Sequence, residues 1–226
     1  MQIKHIFFDL DHTLWDFETN SDKAFEKAFQ NLQFKVDLAK FLNYYRPINH
    51  KYWKLYREEK VTKAQLRHGR LKETFDFLKI KVTDELLEAM AIEYIRVLPE
   101  NNQLFEGAFE ILEHLSVKYQ LHIITNGFHE VQHLKLEKSG IANYFKHIIT
   151  SESVGFQKPH PDIFYHAMKI ANTTPQESIM IGDNWEADIM GAYHCGMQVI
   201  FCNYHQEPVG ENIKSITHLL QLKQFL

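Results

Sequence analysis

The sequence predicts an α/β fold: a parallel-sheet core whose chain is interrupted, after its first strand, by a block of helices. Three observations carry this reading. The run Ile3-Lys4-His5-Ile6-Phe7-Phe8-Asp9 is a short buried strand by its apolar content. From about Asn20 to Leu98 apolar residues recur at helical spacing and no strand-like run occurs. Beyond Leu121 short β-rich runs alternate with helical patterns, the order expected of βαβ units in a parallel sheet.

The helical block is built from three apolar stripes. Ala24, Phe25, Ala28, Phe29 and Leu32 form the first; Leu71, Phe75 and Leu78 the second; Leu86, Leu87, Met90, Ala91 and Tyr94 the third. Thr62 stands three residues before Gln65, the spacing of a capping box, and Thr83-Asp84-Glu85 puts acidic residues in a first helical turn. Pro99-Glu100-Asn101-Asn102 ends the periodicity and reads as a linker. The strands that follow are Leu121–Thr125, His147–Thr150, Ser178–Gly182 and Gln198–Cys202, separated by helical segments 129–139, 161–171 and 186–195. Thr174-Pro175-Gln176-Glu177 begins a short helical turn. The predicted domains are therefore 1–17 with 99–226 as the α/β core and 18–98 as a helical cap. Asp16–Asn20 and Leu98–Asn102 are the linkers, and cap closure over Asp9 is the expected motion.

Composition narrows the function. The chain has 226 residues, 45% hydrophobic and 24% charged, which is enough for a sizeable core. Net charge is −4, and no Lys/Arg block supplies the basic stripe of a nucleic-acid binder. Cys195 and Cys202 lack CxxC spacing and read as reduced, buried thiols of a cytoplasmic protein. The first apolar run is broken at once by Asp9 and Asp11, so it is no signal-peptide core, and nothing approaches the roughly 20 apolar residues of a membrane span. The fourteen histidines are scattered singly, without HExxH or other paired ligand spacing. Exposed cap aromatics such as Tyr52, Trp53 and Tyr56 fit a monomer or a homodimer alike.

Chemistry collects at strand ends. Asp9-Leu10-Asp11-His12-Thr13 follows the first strand directly, where open α/β sheets bind ligands. Alone, such a pair of acids caps a loop equally well. Three later signals join it: Thr125-Asn126-Gly127 after a second strand, Lys158 in Gln157-Lys158-Pro159-His160-Pro161, and Asp183 with Asp188 after Ile181-Gly182. A parallel sheet brings such ends to one edge. Thr125 and the amides that Gly127 leaves approachable suit phosphate oxygens. Clustered carboxylates call for a hard cation, so Mg²⁺ on Asp9, Asp183 and the backbone carbonyl of Asp11 is expected, with Asp188 orienting the groups around it. Asp9 is then the nucleophile of a phosphoryl transfer and Asp11 the acid and base.

In combination, Asp9-x-Asp11-x-Thr13, Thr125, Lys158 and Gly182-Asp183-x4-Asp188 resemble the four motifs of the haloacid dehalogenase superfamily, across almost the whole chain. The resemblance implies a Rossmann-like core with an inserted α-helical cap of the C1 type, and Mg²⁺-dependent hydrolysis of phosphate esters. True haloalkanoate dehalogenases of the family lack the second Asp, which favours the phosphatase branch. Another member uses a cap lysine as a Schiff base, and the cap lysines leave that alternative open. Gln65-Leu66-Arg67-His68-Gly69-Arg70, Thr125-Asn126-Gly127-Phe128 and Ser153 to Pro159 look like the bacterial house-cleaning pyrimidine 5′-nucleotidases, which act on dUMP, UMP and dTMP. That likeness implies a small phosphomonoester as partner, with Asn126, Gly127, Gln65, His68 and Arg70 at the substrate. Sugar phosphates are the alternative substrates. His12 departs from the Gly or Glu common at its position. A rival of another class is a receiver-like phosphoacceptor switch, and a third is a binding protein on the same scaffold.

Overall fold

The computed structural model describes residues 2–208, 210 and 212–226; Met1, Val209 and Glu211 lie outside the described residues. The chain divides into two compact units, Met1–Phe17 with Asn102–Leu226, and Glu18–Asn101.

The helical unit carries most of α1 (Phe17–Asn31), then α2 (Leu38–Arg57), α3 (Lys63–Leu78) and α4 (Asp84–Val97). The caps sit where the sequence put them. Thr62 Oγ1 accepts from the Gln65 amide at 3.2 Å while Gln65 Oε1 accepts from the Thr62 amide at 2.8 Å, closing the capping box of α3. Thr83 Oγ1 accepts from the Leu86 amide at 3.3 Å and caps α4. Helix α2 was not separately resolved by the periodicity, and it carries Pro47 in its interior, a residue that usually argues against helix. The buried stripes meet as aromatic rings: Phe25 lies 4.1 Å from Tyr94, 4.5 Å from Tyr45 and 5.0 Å from Phe41, centroid to centroid. Phe75 joins the same cluster through Phe29, Phe34 and Phe41.

In the other unit α5 (Ala108–Ser116), α6 (His129–Lys138), α7 (Ser151–Val154), α8 (Pro161–Ala171) and α9 (Gly191–His194) accompany one sheet. Its strands are β1 (His5–Phe8), β2 (Gln120–Thr125), β3 (Phe145–Thr150), β4 (Ser178–Gly182), β5 (Gln198–Cys202) and β6 (Lys214–Ile216). They run parallel in the order β3-β2-β1-β4-β5-β6. This is a doubly wound, Rossmann-like α/β sheet, and its strand order reverses beside β1, where such sheets take ligands. Both central strands are buried throughout, as a sheet covered on two faces requires.

Phe7, Ile124, Ile149, Met180 and Phe201 of the sheet pack with Ile163, Phe164, Ala167 and Met168 of α8 in one core cluster. Pro161 opens α8 and His160 caps it, as the Pro at the first helical position foretold. Toward the other end of the strands, His5, His122 and His147 stack across β1, β2 and β3, successive rings 5.3 Å apart and within 9° of parallel. Burial, and then the neighbouring His5 and His147, push the His122 imidazole down to about 3.

Two expectations need correction. Segment 186–195, expected as one helix, is a π-helical turn Trp185–Met190 followed by α9; Asn184 caps it by accepting from the Ala187 amide at 2.8 Å. Strand β6 was not foreseen, since Lys214-Ser215-Ile216 offers too short a run to show alternation.

Candidate active site

The residues at the ends of β1, β2 and β4 are arranged around one buried lysine. Asp9 follows Phe8, and its amide donates to the Ile181 carbonyl at 2.9 Å, so the β1–β4 ladder continues into the acid. Lys158 is 1% exposed and its ammonium has three donors. They go to Asp9 Oδ1 at 2.6 Å, Asp188 Oδ1 at 2.7 Å and the Ile124 carbonyl at 2.6 Å. Burial alone would lower the pKa of this lysine, but the carboxylates of Asp188 and Asp9 outweigh it and hold the ammonium above the ordinary lysine value.

Asn126 turns both ends of its amide to the main chain of Lys158. Its Nδ2 donates to the Lys158 carbonyl at 2.9 Å, and its Oδ1 accepts from the Lys158 amide at 2.8 Å. A residue expected at the substrate thus ties the lysine's segment to the end of β2. Thr125 is buried, and its Oγ1 accepts from the Gly127 amide at 3.0 Å.

Asp183 is half-buried and accepts from Thr13 Oγ1 at 3.1 Å. The Thr13 carbonyl in turn accepts from the Tyr204 hydroxyl at 2.9 Å, a support between residues 191 positions apart that no local pattern signals. Asp188 Oδ2 accepts from the Asn184 amide at 3.0 Å. It can lie so close to the strand only because residue 182 is glycine: a Cβ there would stand 2.3 Å from Asp188 Oδ2.

Asp11 looks elsewhere. Its Oδ1 accepts from Lys135 Nζ at 2.6 Å and its Oδ2 from Gln132 Nε2 at 3.1 Å, both on α6. Lys135 is 1% exposed, and its ammonium sits 4.3 Å from the ring centroid of Trp15 and 5.4 Å from that of Phe17. Neither Gln132 nor Lys135 was singled out in the sequence. Three residues apart, they lie between Val131 and Leu136 on the face of α6 that the fold buries, where polar residues need a reason.

The remaining candidates belong to the helical unit and have partners inside it. Gln65 closes the capping box described above, and His68 Nε2 is 3.2 Å from Asp84 Oδ1. Arg70 is 2% exposed, donates to Asn49 Oδ1 at 2.8 Å and lies over the rings of Tyr45 and Tyr94.

Asp9, Asp183 and Asp188 each offer one oxygen within 4.8 Å of the others. Desolvation, and then the Asp188 charge, push the Asp183 carboxyl up to about 8. Desolvation also drives Asp9 well up, opposed by Lys158 and reinforced by Asp188 and Asp183. One ammonium faces three carboxylates, and the charge left over suits a divalent cation with oxygen ligands.

The comparisons agree with this geometry. Residues 3–196 match the family described as haloacid dehalogenase-like hydrolase. The chain is 31% identical to the pyrimidine 5′-nucleotidase YjjG of Escherichia coli, over 98% of this chain and 96% of that one. It is 32% identical to the pyrimidine 5′-nucleotidase PynA of Streptococcus pneumoniae, over 91% and 86%. Glyceraldehyde 3-phosphate phosphatases also match, at 29–32% identity. Among solved structures, the magnesium-bound HAD-hydrolase YfnB of Bacillus subtilis superposes with a TM-score of 0.89 at 27% identity, covering 100% of this chain and 99% of that one. An α/β hydrolase with an acid–lysine–acid cluster at its strand ends is the class that fold and site define. The chain belongs to the haloacid dehalogenase-like hydrolases.

Proposed function

We propose that the protein is a Mg²⁺-dependent phosphomonoesterase that works through an aspartyl-phosphate on Asp9, and that its substrates are pyrimidine nucleoside 5′-monophosphates such as dUMP, UMP and dTMP. The observation that carries the mechanism is the buried Asp9–Lys158–Asp188 array with Asp183 beside it and Asp11 held apart from it. Two carboxylates two residues apart have different surroundings, as a nucleophile and an acid/base require.

Asp9 attacks phosphorus, forming the Asp9 O–P bond as the ester P–O bond breaks, and Asp11 delivers its proton to the departing alkoxide. Asp11, now a carboxylate, takes a proton from water as the water oxygen bonds to phosphorus and the Asp9 carboxylate leaves. Inorganic phosphate and the free alcohol are the products. Lys158 holds Asp9 in place and balances phosphoryl charge, while Thr125 and the amides around Gly127 bind the non-bridging oxygens. Asn126 acts through Lys158. Asp9, Asp183 and the Asp11 carbonyl would hold Mg²⁺, with Asp188 behind them fixed by Lys158 and Asn184. The bound ion supplies neutralising charge at the phosphoryl oxygens.

The substrate class rests on likeness to the pyrimidine 5′-nucleotidases YjjG and PynA. Gln65, His68 and Arg70 are the helical-unit residues proposed to read the nucleoside. The second reading, hydrolysis of small sugar-type phosphates, is favoured by the relatives named glyceraldehyde 3-phosphate phosphatases. A receiver-like switch is disfavoured by Asp11, which readies the phosphoenzyme for hydrolysis. Two buried, unpaired cysteines support a cytoplasmic setting. Among the described residues no helix is long and apolar enough to cross a membrane.

The test is phosphate release with Mg²⁺ from dUMP, UMP, dTMP, purine nucleotides and sugar phosphates, for wild type and Asp9→Asn. Preference for pyrimidine monophosphates, abolished by Asp9→Asn and by chelator, is the expected result. Release from sugar phosphates alone would overturn the substrate and keep the mechanism. A phospho-adduct that persists without turnover would replace the enzyme reading by the switch.

A further inference from the structure

Buried cations need a reason, and among the described residues two lysines, Lys158 and Lys135, are buried beside these acids. Lys158 is accounted for by the array at Asp9. Lys135 is not: it projects from α6, is walled by the faces of Trp15 and Phe17, and has Asp11 as its carboxylate partner. Gln132, one helical turn earlier, completes the contact by giving Nε2 to the other carboxylate oxygen, while its own Oε1 is buried without a partner. The amide is thus turned toward the carboxylate and gains nothing from its other end.

The route of Gln132 fixes a third residue. A Cβ on residue 127 would lie 1.5 Å from Gln132 Nε2 and 3.1 Å from Asp11 Oδ2, so only glycine lets the amide pass. The same glycine carries the amide that bonds Thr125 Oγ1. Asp11 is therefore held against the backbone turn at which the phosphate oxygens are proposed to bind.

We propose that Lys135 and Gln132 are positioning residues that fix the side-chain rotamer of Asp11, keeping its carboxyl group beside Gly127, at the turn proposed to bind the phosphoryl group. The inference rests on the phosphatase reading above and adds to it the two residues that aim the acid/base. Lys135 and Gln132 touch neither phosphorus nor the ester; they act by restricting where Asp11 points. Bound at both oxygens, the Asp11 carboxylate has one rotamer to occupy; the two donors use only two of its roughly four lone-pair sites and leave room for the proton it delivers, and a correctly placed group is worth far more than a mobile one.

The experiment separates aiming of the acid from general support of the fold. A leaving group that departs as a stable anion, such as 4-nitrophenolate, needs no proton at the moment of bond cleavage; an alkoxide does. The parameter kcat/KM reports the steps up to loss of that group. It is measured for 4-nitrophenyl phosphate and for a nucleoside 5′-monophosphate, in wild type, Lys135→Met, Lys135→Arg and Gln132→Leu, with thermal unfolding recorded for each. The expected result is a fall of about tenfold or more for the alkyl ester, with a much smaller fall for the aryl ester and partial recovery in Lys135→Arg. Equal falls for both esters, or no fall for either, would overturn the positioning role while wild-type turnover and its loss in Asp9→Asn leave the phosphatase reading standing. If Lys135→Met does not fold, Gln132→Leu carries the same discrimination. Absence of Asp9-dependent release from either ester in wild type would overturn the phosphatase reading and this inference with it.

Discussion

The two units differ in where their ion pairs are buried. In the helical unit the ion pairs are at the surface: Arg46 with Glu18 and Asp22, Lys51 with Glu73, Lys72 with Asp76, and Arg96 with Glu93 and Glu100. Its interior is held by stacked and edge-on aromatic rings. In the sheet unit Lys158, Lys135, Asp9 and Asp188 are buried and paired at the strand ends. Exposed pairs exchange water for each other at little net gain. Buried ones carry a desolvation cost of several kcal/mol per ion, as a rough figure, before any attraction is counted. A protein that accepts that cost repeatedly at one edge has put chemistry there.

The sharpest way to break this comparison is to remove the nucleophile. Asp9→Asn keeps the shape and should lower phosphate release by about four orders of magnitude or more, on the scale seen when a nucleophile is deleted; substantial residual turnover in a single-turnover assay would move the nucleophile elsewhere. Next comes Phe25→Ala, which empties the middle of the aromatic cluster and should cost about 3–5 kcal/mol in urea unfolding. Lys158→Met leaves Asp9 and Asp188 without their cation and, in chelator, should destabilise by an amount of the same order, about 3–5 kcal/mol. Added Mg²⁺ should restore part of it, which a purely structural lysine would not allow.

A smaller effect tests burial without a counter-charge. His122 titrates near 3 in the folded chain against 6.5 for an ordinary imidazole, so the unfolded chain takes the proton first. Its contribution is full above pH 6.5 and is lost as pH falls toward 3, at up to about 1.4 kcal/mol per pH unit. His122→Leu should flatten that acid limb; an unchanged slope would assign it to other groups. The least effect belongs to the exposed pairs: Lys72→Ala should leave the unfolding midpoint within error, and a clear shift would contradict the contrast drawn above.

The same contrast explains what could be read from the sequence. Asp9 and Asp183 stand just past the ends of apolar strands, Asp188 one helical turn after Asp183 and Lys158 in the extended segment between a strand and a helix, and parallel pairing brings those stretches to one edge. The helical block was legible from its stripes and its Thr62 and Thr83 caps. Helix α5 carries readable apolar positions at Ala108, Ile111, Leu112 and Leu115 but lies beyond the Leu98–Asn102 linker, in a stretch to which the pattern reading assigned no element. Lys135 and Gln132 were hidden because a charged helix such as α6 normally turns such residues to solvent, and only the fold shows which face is inward. The partners of His68 and Arg70 depend on where α4 and α2 lie against α3, which no local pattern encodes, whereas Gln65 pairs with Thr62 in the capping box that the spacing already showed.

The pairing of Asn126 with the main chain of Lys158 has a consequence for how the molecule tolerates change. Thirty-two positions separate the two residues, yet the lysine's place is set by the amide and not by the path between them. Gly155, on that path, has nothing within 4 Å of where a side chain would begin. Gly155 closes α7 with a φ of +85°, so the room beside it does not open the position to other residues. An insertion between Gly155 and Phe156 would part that cap from the Phe156–His160 stack, while the two bonds from Asn126 would resist any displacement of the main chain at Lys158.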